Sequence, residues 1–107
     1  MKPDAKELEE LVRRIVTKVS PLRIILFGSA ARGEMGPHSD VDVLVVVSDG
    51  SNCREIARTL YRQLRGLHFA KDILVVQRRD VEQYRDNPYL VIHTALSQGK
   101  ELYHVAS

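Results

Sequence analysis

Asp40 and Asp42, in the stretch SDVDVLVVV, place two carboxylates two residues apart at the mouth of an apolar run. On a strand, residues two apart point to the same face, about 6.6 Å apart along the chain. Two negative charges that close repel each other, and burial raises the cost. The pair is tolerable where it holds a hard cation, pairs with arginine or faces open water. Carboxylate oxygens with an incomplete shell suit Mg²⁺, which keeps waters and substrate phosphates as its other ligands. A third carboxylate, Asp72 in KDILVV, stands where a neighbouring strand begins. Three carboxylates at strand ends could hold two metal ions. That arrangement suits in-line displacement at phosphorus, with the attacking and the leaving oxygen both clamped.

Gly28-Ser29 supplies a second half, with ten residues between it and Asp40. Glycine lets the chain turn sharply as it leaves a strand and lets a phosphate approach the backbone. If a helix opens at Ser29-Ala30-Ala31, its free N–H groups point toward an incoming anion. The Ser29 hydroxyl adds one hydrogen bond to a phosphate oxygen. Arg32 is a candidate second contact, charge-assisted and able to engage two oxygens. Each feature alone has a commoner structural explanation. Gly-Ser after a strand is ordinary turn chemistry, Asp-x-Asp is often surface capping, and Asp72 beside Lys71 suits a surface ion pair. Their convergence at strand ends carries the weight.

The elements that must position these residues follow from periodicity. Leu8, Leu11, Val12, Ile15, Val16 and Val19 recur at helical spacing, predicting an amphipathic helix over residues 4 to 19. Asp4 would cap it, Glu9–Arg13 and Glu10–Arg14 are i,i+4 pairs, and Ser20-Pro21 stops it. RIILF (23–27), VDVLVVV (41–47) and ILVV (73–76) read as strands. Ser51 or Asn52 caps a helix running to about Arg65, with Ile56, Ala57, Leu60, Leu64 and Leu67 as its apolar face and Gly66 at its end. A short helix near 80 to 85 and another over 88 to 98, with Pro88 at its start and Gly99 past its end, complete the helices. The tail ELYHV suits a last edge strand. The order α-β-α-β-α-β-α implies an α/β (α+β) fold whose strands share one sheet.

The chain has 107 residues, 44% hydrophobic and 28% charged, so one soluble domain spanning 1–107 is expected. No apolar stretch approaches the roughly 18 residues that span a bilayer. The start, MKPDAKELEE, lacks the apolar centre of a signal peptide, so cytoplasmic residence is expected and no membrane is. Cys53 is the one cysteine, which excludes an intrachain disulfide framework or cysteine metal cluster. A helix-start thiol can be reactive; an inert one is commoner. A net charge of +2 does not point to direct nucleic-acid binding.

The string GSAARGEMGPHSDVDVLVVV resembles the minimal nucleotidyltransferases of the DNA polymerase β-like superfamily. There a Gly-Ser is followed by Ala-Arg-Gly, and Ser-Asp precedes the second strand. The resemblance covers nearly the whole chain. It implies a nucleotidyltransferase fold on a small mixed β-sheet with helices packed on it, and transfer of a nucleoside monophosphate from a triphosphate, ATP, with two Mg²⁺ ions. Asp40 and Asp42 would bind both metals. Asp72 would bind the catalytic metal and help activate the attacking hydroxyl, while Gly28 and Ser29 seat the triphosphate and Arg32 adds a contact. Ala30 departs from the pattern, since many relatives carry arginine or another polar residue there.

Larger members add a domain that presents the acceptor, and this chain leaves little room for one. The acceptor is then presented in trans, by a second copy in a homo-oligomer or by another protein. In the minimal family the partner is a helical HEPN toxin, silenced by AMP transferred to a tyrosine, so an antitoxin is the leading expectation. Two alternatives stand beside it: an antitoxin that neutralises by binding alone, and a nucleotidyltransferase for a small acceptor such as an aminoglycoside. Arg54, Arg58, Arg62 and Arg65 form one helical stripe, either a solvated face or a seat for an acidic partner or RNA, the last less favoured because no aromatic residue interleaves to stack on bases. Tyr84, Tyr89, His93 and Tyr103 are expected in core or edge packing, and any exposed subset would suggest an interface. His38 could reach a phosphate, although a loop histidine is commoner, and His68 takes no role.

Overall fold

The computed structural model describes residues 5–31, 41–67 and 70–105. Helix α1 (Ala5–Val19) comes first and strand β1 (Arg23–Phe27) follows. The one-turn helix α2 (Gly28–Ala31) leads toward β2 (Val41–Val47), and α3 (Cys53–Gln63) connects β2 to β3 (Lys71–Gln77). Then come α4 (Arg78–Tyr84), α5 (Val91–Gln98) and β4 (Lys100–His104). The strands form one mixed sheet in the order β3-β2-β1-β4. β1 pairs antiparallel with both β2 and β4, and β2 pairs parallel with β3. That parallel pair needs a crossover, which α3 provides.

Alternation along the strands divides the core in two. Val41, Val43, Val45 and Val47 of β2, with Ile24, Leu26, Ile73 and Val75, pack under Leu11 and Ile15 of α1 and Leu60 of α3. The opposite face presents Ile25, Phe27, Leu44, Val46 and Val76 to Val81 of α4 and to Ile92 and Ala95 of α5. Coverage on both sides explains why VDVLVVV is nearly continuous in its apolar character.

The local signals fall into place with instructive exceptions. Ser20 ends α1 in the left-handed region, at φ +47, directly before Pro21. Asn52, rather than Ser51, caps α3, its Oδ1 accepting from the Glu55 N–H at 3.2 Å. The helix ends at Gln63, two residues before the expected Arg65. Glu10 takes both arginines of its helix: Arg14 Nε donates at 2.8 Å and Arg13 Nε at 2.9 Å, so the expected Glu9–Arg13 pairing gives way to an i,i+3 pair. Together they hold the Glu10 carboxyl down at about 2. Arg14 also donates to the carbonyls of Gln63 and Arg65, tying α1 to the end of α3.

α4 starts at Arg78, earlier than expected, because Asp80 reaches back to accept from the Gln77 N–H at 3.2 Å. α5 starts at Val91 instead of Pro88. Asn87 Oδ1 accepts from Tyr89 N–H and the Asn87 carbonyl from Leu90 N–H, so Pro88 sits inside a turn. The edge strand expected in the tail is β4. Among the described residues no helix is long and apolar enough to cross a membrane.

Gly99 lets α5 pass directly into β4. A Cβ there would overlap the Ala95 carbonyl oxygen and come within 2.6 Å of Ile25 Cγ2 and 2.9 Å of the Leu26 carbonyl. Two of these three neighbours are backbone, which cannot step aside cheaply. Gly99→Ala should therefore cost about 1–3 kcal/mol of stability, as overpacked cores do, measured by urea denaturation.

Candidate active site

The C-terminal end of β1 and the N-terminal ends of β2 and β3 meet at one end of the sheet. Phe27 pairs with Asp42, and Asp42 pairs with Asp72 across the parallel ladder. Asp42 alternates with the buried Val41 and Val43, so its side chain shares the face of Leu44 and Val46; Asp72 likewise shares the face of Val76. The two carboxylates therefore project from one face on neighbouring strands, whose backbones lie about 4.8 Å apart. Asp42 is half-buried, while Asp72, on the edge strand, is exposed.

Gly28 closes this corner. Its φ is +70, in the left-handed region that glycine adopts without steric cost. A Cβ built on it would overlap Asp42 Oδ2. The Asp42 carboxylate thus lies directly against the Gly28 backbone, where α2 begins. The backbone of Ser29 follows within that turn, as the sequence predicts. Asp40, Arg32 and His38 lie outside the described residues, as does His68. The structure thus brings together Gly28, Asp42 and Asp72, with the Ser29 backbone beside them. Among the described residues, which do not include Asp40, no group of three His, Cys, Asp or Glu side chains converges. Two carboxylates in register beside a bare glycine backbone are a donor set that fits a hard divalent cation and leaves room for phosphate oxygens.

Tyr61 is the residue that the sequence reading missed. It lies on the flank of α3, and its hydroxyl donates to Asp72 Oδ1 at 3.2 Å while accepting the Ile73 N–H at 2.9 Å. The available signal was its position one residue after Leu60, at the border of the apolar face. There an amphipathic ring can pack along its body and reach out with its tip.

Other candidates settle elsewhere. Cys53 is half-buried, and burial, with Asp80 nearby, pushes its thiol up, which favours the inert reading. Arg54, Arg58 and Arg62 are exposed along α3 and Arg65 lies past its end, with Arg58 paired to Glu55 at 2.9 Å. Tyr103 packs at the margin of one core and His93 Nδ1 meets the Arg85 carbonyl at 3.0 Å. Tyr84 and Tyr89 depart from the packing expected of them: Tyr84 is exposed at the end of α4, and Tyr89 is 93% exposed within the Asn87–Leu90 turn. A cavity of about 550 Å³ lined by Arg23, Val46, Arg78, Val81 and His104 lies at the opposite end of the strands from Asp42.

The family model described as "Nucleotidyltransferase domain" matches residues 8–98. This chain belongs to that family. No curated protein matches it. Among solved structures, it is similar to a Sulfolobus solfataricus protein described as a nucleotidyltransferase, with a TM-score of 0.62 and 20% identity over 92% of this chain and 78% of the other. It is also similar to a mutant of the toxin–antitoxin pair MntA-HpeT, with a TM-score of 0.60 and 21% identity over 96% of this chain and 75% of the other. A toxin–antitoxin structure with AMP-PNP gives a TM-score of 0.58 and 23% identity, over 96% of this chain and 75% of the other. These likenesses establish the fold.

Gly28→Ala should cost about 1–2 kcal/mol for the left-handed backbone and more for displacing Asp42. Gly50, at φ +89 with nothing near a Cβ, isolates the backbone part: Gly50→Ala should be the milder variant in urea denaturation. Cys53 should be alkylated by iodoacetamide at pH 8 more slowly than free cysteine, its raised pKa leaving less thiolate; mass spectrometry follows the rate.

Proposed function

We propose that this chain transfers AMP from ATP to a tyrosine hydroxyl of a HEPN-type toxin and serves as its antitoxin, acting as one domain in the cytoplasm. The observation that carries the reading is the placement of Asp42 and Asp72 in register on one face, with the Asp42 carboxylate against Gly28. The motif from Gly28 to Asp42 supports the same reading, as do the solved toxin–antitoxin neighbours, one of them with AMP-PNP.

Asp40, Asp42 and Asp72 would hold two Mg²⁺ ions, which supply charge neutralisation and polarisation of the attacking and leaving oxygens when bound. Gly28 and Ser29 would seat the triphosphate and Arg32 would add a charge-assisted contact. The acceptor oxygen forms a bond to the α-phosphorus as the bond from that phosphorus to the α,β-bridging oxygen breaks. Pyrophosphate leaves, and the hydroxyl proton passes to the Asp72 carboxylate. Exposure of Asp72 on an edge strand suits this role, since the acceptor arrives on another chain.

Incubating this chain with ATP, Mg²⁺ and the protein encoded beside it should add mass to that protein in steps of one AMP. Asp40→Asn/Asp42→Asn should reduce transfer by at least about a hundredfold, as losses of transition-state charge stabilisation do, while circular dichroism stays unchanged. A stable complex with no mass gain from either form would overturn the enzymatic reading in favour of neutralisation by binding.

A further inference from the structure

Tyr61 has no part in the reading above, yet its hydroxyl touches a proposed catalytic carboxylate. A phenol has one proton to give. The Ile73 N–H occupies a lone pair of the Tyr61 oxygen at 2.9 Å, and the proton is directed to Asp72 Oδ1 at 3.2 Å. Ile73 lies on β3, an edge strand, so an N–H facing outward there has no neighbouring strand to receive it. The ring comes from α3, which the buried Leu60, and Leu64 just past its end, anchor to the core. The hydroxyl is thus tethered to the backbone of β3 on one side and holds one oxygen of Asp72 on the other. Tyr61 is 44% exposed, whereas Leu60 and Leu64 beside it in the chain are fully buried.

We propose that Tyr61 is a positioning residue: it fixes the rotamer of Asp72 so that the second carboxylate oxygen is presented beside Asp42 for a divalent cation. The inference rests on the metal-binding reading of Asp72 given above. An exposed aspartate on an edge strand otherwise samples several rotamers, and ordering it on binding costs entropy. Hydrogen bonds that orient metal-binding carboxylates are typically worth about 10–100-fold in affinity.

The test is Mn²⁺ binding to the full chain with AMP-PNP, followed by electron paramagnetic resonance and corrected for Mn²⁺ held by nucleotide alone. Tyr61→Phe keeps the ring and removes the hydroxyl. It should weaken Mn²⁺ binding by on the order of tenfold with the thermal midpoint nearly unchanged, and shift the Ile73 amide proton in the metal-free protein. Asp72→Asn should lose at least as much, and adding Tyr61→Phe to Asp72→Asn should lose nothing further. A Tyr61→Phe variant that binds like wild type, or additive losses in the double variant, would overturn the role of Tyr61 alone. Wild-type protein that binds no Mn²⁺ beyond the nucleotide's share would overturn the metal reading of Asp72, and this inference with it.

Discussion

Strand β2 is covered by helices on both faces, and a strand in that position must be apolar on both. From Val41 to Val47 it meets that demand everywhere except at Asp42. A carboxylate in such a strand is tolerable only at its end, where the covering helices stop and polar partners or water can reach it. The rest of the site follows. The antiparallel neighbour must leave the sheet beside Asp42 without a side chain, and Gly28 does so. The parallel neighbour must bring its own carboxylate to the same level, and the β2–β3 register supplies Asp72. Core and site are therefore one construction, the second being the edge at which the first runs out.

Helix α3 serves both. Its buried side holds Leu60 in the core, its end is tied to α1 through Arg14, and its flank reaches over the sheet edge with Tyr61. The crossover that makes β2 and β3 parallel thus also brings a hydroxyl to the carboxylate of β3. A helix fastened at its C-terminal end and along one face has little freedom to carry that hydroxyl elsewhere.

Much of this was legible in the amino-acid order. The Gly-Ser and Asp-x-Asp pair needs only local rules: a strand's alternation, a glycine's freedom and the charge of two carboxylates. The three strands, α1, and the choice of Ser51 or Asn52 as cap follow from equally short-range signals. Helix starts near proline were less legible. Pro88 favours a first helical turn, but Asn87 before it offers a competing turn with its own side-chain acceptor, and that turn prevails. Glu10 illustrates the same competition, since Arg13 and Arg14 both reach it while the sequence offered Arg13 an alternative in Glu9. Tyr61 was hidden for a different reason. Its partner is eleven residues away on another element, and only the path of the crossover decides that they meet. The pairing of β4 with β1 was likewise a matter of where α5 returns the chain.

The two borders of the sheet are closed by different means. On the β4 side the strand is short and begins Lys100-Glu101, two exposed charges that discourage another strand from adding there. On the β3 side, at the level of the carboxylates, the outward N–H of Ile73 is already taken by a tyrosine oxygen. An extended peptide therefore cannot lengthen the sheet at that level without first dislodging the ring. At this border the Asp72 carboxylate is reached past the strand edge, not through a further backbone pairing at Ile73.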